Sequence, residues 1–167
     1  PGGFCIHSPF VYHLVTRGLY RKDTGVPAVP AGFTRQEKAT ARLMVNLIRF
    51  LSPEVLVTPN EKERLAEWIT EQHRQGSVFS EGLQTPLPFQ CRTMVIISAR
   101  LDTYRPVLPE EVWVLTSLQM KEKRDVWENA LLLPGVRVSV ETRSMGILFF
   151  HPVLQKERYV IRSWFYL

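Results

Sequence analysis

The chain has 167 residues, 45% of them hydrophobic and 22% charged, with a formal net charge of +5. A chain of this size buries roughly two thirds of its unfolded surface, so a single core is expected without disulfide or metal staples. Apolar runs such as 94–97 and 147–150 are far shorter than the ~18 residues a membrane helix needs, and no charged-then-apolar leader opens the chain, so the expectation is a cytoplasmic protein with no membrane partner.

Ser8-Pro9 has the form of a helix N-cap followed by proline at the first helical position, and Phe10, Val11, Leu14 and Val15 supply an apolar face to about Tyr20. A first helix is predicted there. Residues 23–33 contain Gly25, Pro27, Pro30 and Gly32, the punctuation of a connecting loop. Over residues 34–51 the apolar Ala39, Leu43, Leu47 and Ile48 recur on one side at helical spacing, while Arg35, Lys38, Arg42 and Arg49 form a narrow stripe opposite. Residues 1–53 hold seven basic groups against Asp23 and Glu37, and the remaining 114 carry fourteen of each sign. A nucleic-acid enzyme would more often line its cleft with basic groups as well, so nucleic acid is not the expected partner.

After Pro53 short apolar runs alternate with helical segments: 54–57, a helix from about 59 to 75, then 77–80, 93–98, 112–116 and a helix over 118–132. Unbroken apolar strands joined by helices indicate a parallel sheet buried on both faces. Residues 136–141, 146–150 and 158–164 follow with breaks too short for helices, so this end is expected to be antiparallel. The outline is one α/β domain, with 1–52 a helical extension and 53–167 a mostly parallel sheet closed by an antiparallel C-terminal hairpin. Cys5 and Cys91 lack the spacing of a zinc or redox pair and read as ordinary thiols.

Ile6-His7-Ser8-Pro9-Phe10-Val11-Tyr12 resembles the opening signature of a bacterial group of class I S-adenosylmethionine (SAM)-dependent methyltransferases, in which a helical pair precedes the catalytic domain. The far end is similar too. Trp127-Glu128, Leu133-Pro134-Gly135-Val136-Arg137-Val138-Ser139-Val140, Met145-Gly146-Ile147-Leu148-Phe149-Phe150 and Tyr159-Val160-Ile161-Arg162 look like that group's last helix and closing strands. Between them, Ser77-Val78-Phe79-Ser80-Glu81-Gly82 is similar to the second-strand motif whose acidic residue holds the ribose of SAM, which puts Glu81 in that role. The resemblance implies a Rossmann-like methyltransferase sheet.

The chemical centre departs from this pattern. The family's first strand runs into a glycine-rich turn that lets the backbone approach the cofactor. Here Val55-Leu56-Val57 runs into Thr58-Pro59-Asn60-Glu61-Lys62-Glu63, with no glycine before Gly76. Thr58 reads as an N-cap, Pro59 as the first helical residue and Glu61 as the partner of a capping box, so the helix is expected to be closed by its own side chains. Leu115-Thr116-Ser117-Leu118 stands where the family carries adjacent aspartates and a histidine, and Ser98 where it carries an acid. Residues 83–92, with Pro86 and Pro88, leave no room for the usual helix, strand and helix.

Other residues have plainer readings. His7, His13, His73 and His151 show neither metal spacing nor a paired carboxylate. Ser8 lacks the GxSxG elbow of a hydrolase and caps a helix instead. Trp113, Trp127, Phe149, Phe150, Tyr159 and Trp164 are expected in the core. The apolar end, Trp164-Phe165-Tyr166-Leu167, fits self-association or a last strand packed on its own core.

The expectation is therefore a methyltransferase-like protein that has lost its SAM loop and active-site acids and acts as a scaffold or binding protein, with no catalytic residue, metal or cofactor. Its partner would be another protein or a second copy in a homodimer, and the docking residues Arg35, Lys38, Arg42 and Arg49. One alternative is an active methyltransferase on a small molecule, holding SAM through Glu81, Thr58 and Asn60. Another is a binder of acidic ligands or nucleic acid through the basic helix.

Overall fold

A computed structural model of the chain describes residues 8–21, 25, 27–58, 64–73, 77–80, 92–97 and 107–161, with backbone alone for 77–80. The first helix starts as its sequence demands: Ser8 Oγ accepts from the Val11 N–H, and Pro9 opens α1, Pro9–His13. The expected single α-helix to Tyr20 is corrected by the structure. From Leu14 to Leu19 the chain is wound as a π-helix, with the Tyr20 N–H donating to the Val15 carbonyl. The wider i to i−5 winding turns Leu14, Val15, Gly18 and Leu19 together toward the core.

Helix α2, Arg35–Leu51, begins with a full capping box. The Thr34 hydroxyl accepts from the Glu37 N–H, and the Glu37 carboxylate accepts from the Thr34 N–H. Its buried face is broader than the apolar pattern indicates, and includes Thr40, Ala41, Met44, Val45, Asn46 and Leu47, whereas Ala39, Leu43 and Ile48 are half-buried. Asn46 shifts the buried stripe: its amide donates to the Leu19 and Arg21 carbonyls, which fastens the π-helical segment to α2.

The strands are β1 Val55–Thr58, β2 Ser77–Ser80, β3 Thr93–Ile97, β4 Glu111–Thr116, β5 Val138–Glu141, β6 Met145–Phe149 and β7 Glu157–Val160. Two further helices are α3, Arg64–Gln72, and α4, Lys121–Leu131. One sheet runs in the order β2-β1-β3-β4-β6-β5-β7. Strands β2, β1, β3 and β4 are parallel; β6 is antiparallel to both β4 and β5. The expectation of an antiparallel end holds for the β5–β6 hairpin and fails for β7, which pairs parallel with β5. The chain leaves β6, passes the hairpin and lands beyond β5 in its direction.

Alternation along the strands divides the core into two layers. Leu56, Met94, Ile96, Val114, Ile147 and Phe149 face α1, the π-helical segment, α2 and α3. Val57, Val95, Ile97, Trp113, Leu115 and Leu148 face α4. Every residue of β1 and β3 is buried, as a sheet covered on both faces requires. Among the described residues no helix is long and apolar enough to cross a membrane.

Candidate functional site

The chain moves from β1 to β2 on one side and then returns to β3 on the other, so the strand order reverses between β1 and β3. In open α/β sheets the crevice outside the carboxyl ends of the strands at such a point is the place for a ligand. Thr58 ends β1 there, paired with Ser80 at the end of β2, and is 8% exposed. Ile97 ends β3 and Thr116 ends β4, both buried. Residues 59–63 and 81–91, and with them Pro59, Asn60, Glu61 and Glu81, lie outside the described residues. So do Cys5, His7, Cys91, Ser98 and Trp164.

The N-terminal end of α2 reaches this same edge. Arg64, the first residue of α3, lies 3.1 Å from Glu37 and 5.4 Å from the centroid of the Phe33 ring, and it also donates to the Gly32 carbonyl. One arginine thus clamps the loop before α2 to the tip of α3. Hydrogen bonds from the Thr34 backbone and hydroxyl, with a lesser contribution from Arg64, hold the Glu37 carboxyl below its ordinary range against the opposing effect of burial. The Thr34-x-x-Glu37 capping pattern is a signal for half of this arrangement. Nothing in the sequence announces Arg64, which is 27 residues away.

At the end of β4 the chain folds onto itself. Ser117 takes a left-handed conformation, φ +62°. The next N–H, of Leu118, donates to the Ser144 carbonyl in the β5–β6 turn, and the Leu118 side chain is 1% exposed. The turn is closed in its own right, since Thr142 and Met145 exchange hydrogen bonds through the Thr142 hydroxyl. Beside it, Glu141 accepts from Arg124 and from the Trp127 indole and lies 3.7 Å from Arg158. Burial pushes the Glu141 carboxyl up, but these donors and cations outweigh it and hold it below its ordinary range. The indole ring of Trp127 packs against Gly146, where a Cβ would come within 2.5 Å of it.

The basic stripe is where the sequence places it. Arg35, Arg42 and Arg49 are exposed on α2 and Lys38 is half-buried, although Arg49 is engaged with the Gly25 carbonyl. His13 and His151 are exposed, while His73, just after α3, is buried, and its Nε2 has no hydrogen-bond partner among the described residues. Burial therefore pushes the His73 imidazole pKa down. Trp113, Trp127, Phe149 and Phe150 are in the core and Tyr159 is half-buried. Among the described residues no three His, Cys, Asp or Glu side chains are grouped to hold a metal. No protein-family model, curated protein or solved structure matches this chain.

Proposed function

We propose that the chain is a methyltransferase-like protein, with a shortened Rossmann-like sheet, that has given up methyl transfer and serves as a scaffold or binding protein. Two features support the ancestry: the reversal of strand order between β1 and β3, and the single reversed strand β6 set between β4 and β5. Both agree with a mostly parallel sheet closed by an antiparallel hairpin. The helical pair ahead of β1 covers one face, as the Ser8-Pro9-Phe10 signature implies.

The observation that carries the loss of chemistry is the end of β4. A general base or carboxylate pair must project from that strand end into the crevice to act on a substrate. Here Thr116 is buried, Ser117 turns the chain left-handed, and Leu118 is drawn under α4 and tied to the hairpin. The crevice floor at this strand is built as core. Under this reading a partner docks on α2 at Arg35, Lys38, Arg42 and Arg49, with no cofactor.

Calorimetric titration with SAM and with its demethylated product tests the proposal. The expected result is no saturable heat with either compound. Micromolar binding that disappears in Glu81→Ala overturns the proposal in favour of an active methyltransferase.

A further inference from the structure

A second concave feature lies at the opposite, amino edge of the sheet, in the corner between α1, the end of α2 and the first residues of β3 and β4. It is a cavity of about 430 Å³, within the ~300–1,000 Å³ range of small-molecule pockets. Phe10, Leu51, Met94, Val112, Phe149 and Leu154 line it. All six belong to the core layer that faces α1 and α2, and Phe10 stands edge to face against Phe149 with centroids 5.0 Å apart.

The polar side chains of the lining do not serve this space. Glu111 is 1% exposed, and its carboxylate accepts the Trp113 indole N–H, which draws it to the opposite layer of the core. Thr93 precedes Met94 and by alternation turns to that same layer. Arg92 is exposed at the mouth, where it donates to the Leu51 carbonyl and lies 3.7 Å from Glu54. Glu110 and His151 are exposed as well. Among the described residues of the lining, charge is held at the mouth or on the far face of the sheet, and the interior is apolar.

We infer that this cavity binds an uncharged, largely hydrocarbon small molecule the size of a fused two-ring system. An apolar void of ~150 Å³ lined by Leu, Ile and Phe holds benzene, and this cavity is roughly three times that size. Water in such a space finds few hydrogen-bond partners, and the apolar walls lack atoms to touch, so an apolar guest gains contact and displaces little. A charged guest loses its hydration and meets no partner inside. A single hydroxyl is tolerated at the mouth, beside Arg92 and His151. The lining comes from two helices, three strands and the loop after β6, so it is concave on several sides and fits a compact molecule better than the flat face of a second copy. The inference does not rest on the methyltransferase reading, since the cavity and the crevice occupy opposite edges of the sheet.

The test is titration of the full chain with 2-naphthol, followed by amide chemical shifts. The anion 2-naphthoate and the cation 2-naphthylmethylammonium serve as charged comparisons. The expected result is saturable binding of the neutral compound, roughly tenfold tighter than of either ion, with shifts centred on Met94, Val112 and Leu154. Leu154→Trp, at a half-buried position, puts a large ring into the space and is expected to weaken 2-naphthol about tenfold. Val112→Phe fills the same space from β4 and keeps the test open should the first variant misfold, with an expected loss of about fivefold. Equal or tighter binding of either ion, shifts that map elsewhere, unchanged affinity in both filled variants, or no saturable binding overturns the inference. So do shifts at these residues that appear on raising the protein concentration without ligand, which assign the cavity to a second copy.

Discussion

At the carboxyl edge of the sheet, Leu118 and Trp127 fill the space between β4, α4 and the β5–β6 hairpin, while at the amino edge Phe10, Phe149 and Leu154 line a cavity. The two edges use similar residue types, so apolar content does not separate them. What differs is how large and small side chains are matched. Trp127 lies on Gly146, which offers no side chain, and its indole N–H ends on Glu141. Phe10 and Phe149 meet edge to face with an interplanar angle of 90°, beside the cavity.

The strongest way to break this comparison is Gly146→Ala. A methyl group at that position has to displace the Trp127 ring, and the backbone of a paired strand cannot retreat. The expected loss is about 2–3 kcal/mol, read as a lower urea midpoint with an unchanged slope. A loss too small to measure would mean that the carboxyl edge is as loosely packed as the amino edge.

Glu141→Gln probes the same edge through its charge. The amide keeps the size of the side chain but gives up the charge-assisted bond to Arg124 and the attraction of Arg158. The expected destabilisation at neutral pH is about 1.5 kcal/mol. Because the folded Glu141 pKa lies below its unfolded value, this stability is present above the unfolded value and is lost as pH falls through the folded one. The acid limb of the wild-type stability curve should therefore be steeper than that of the variant, and superimposable limbs would refute the role of Glu141.

The smallest effect is expected from His73, which lies at the other end of α3 from the Arg64 clamp. Its folded pKa is depressed by burial, so the unfolded chain takes up the proton first. Its contribution is intact above the unfolded value and declines as pH falls below it, at less than the ~1.4 kcal/mol per pH unit that one proton allows. His73→Leu should flatten this shallow limb between neutral pH and the carboxylate range in a pH series of thermal melts. An unchanged limb would assign the decline to other groups.

Much of the local structure was legible before any contact was known. Ser8-Pro9 and Thr34 marked helix starts, and the apolar runs marked strands to within about two residues for most elements. The β5–β6 hairpin followed from the short breaks around it. The basic stripe on α2 was also legible, since charge on a helical face follows from spacing alone. The buried stripe of α2 was misjudged because Asn46, polar by composition, is drawn inward by carbonyls of the π-helical segment. At the candidate crevice, Thr116-Ser117-Leu118 could be read as lacking an acid, but the burial of Leu118 depends on Ser144, 26 residues further on. The Glu37–Arg64 clamp and the cavity at the amino edge gave no comparable signal, because each depends on residues brought together from distant parts of the chain.

By itself the sequence determined which segments are helical or extended, where the charge lies, and that a sheet must be covered on both faces. Those properties depend on backbone preferences and on the period of apolar residues, which act over a few positions. Only the tertiary structure decided that β7 runs parallel to β5, that the first helix continues as a π-helix, that one edge of the sheet is packed shut, and that the other holds a cavity. Each of these is settled by side chains from remote segments competing for one volume, and a local pattern carries no record of that competition.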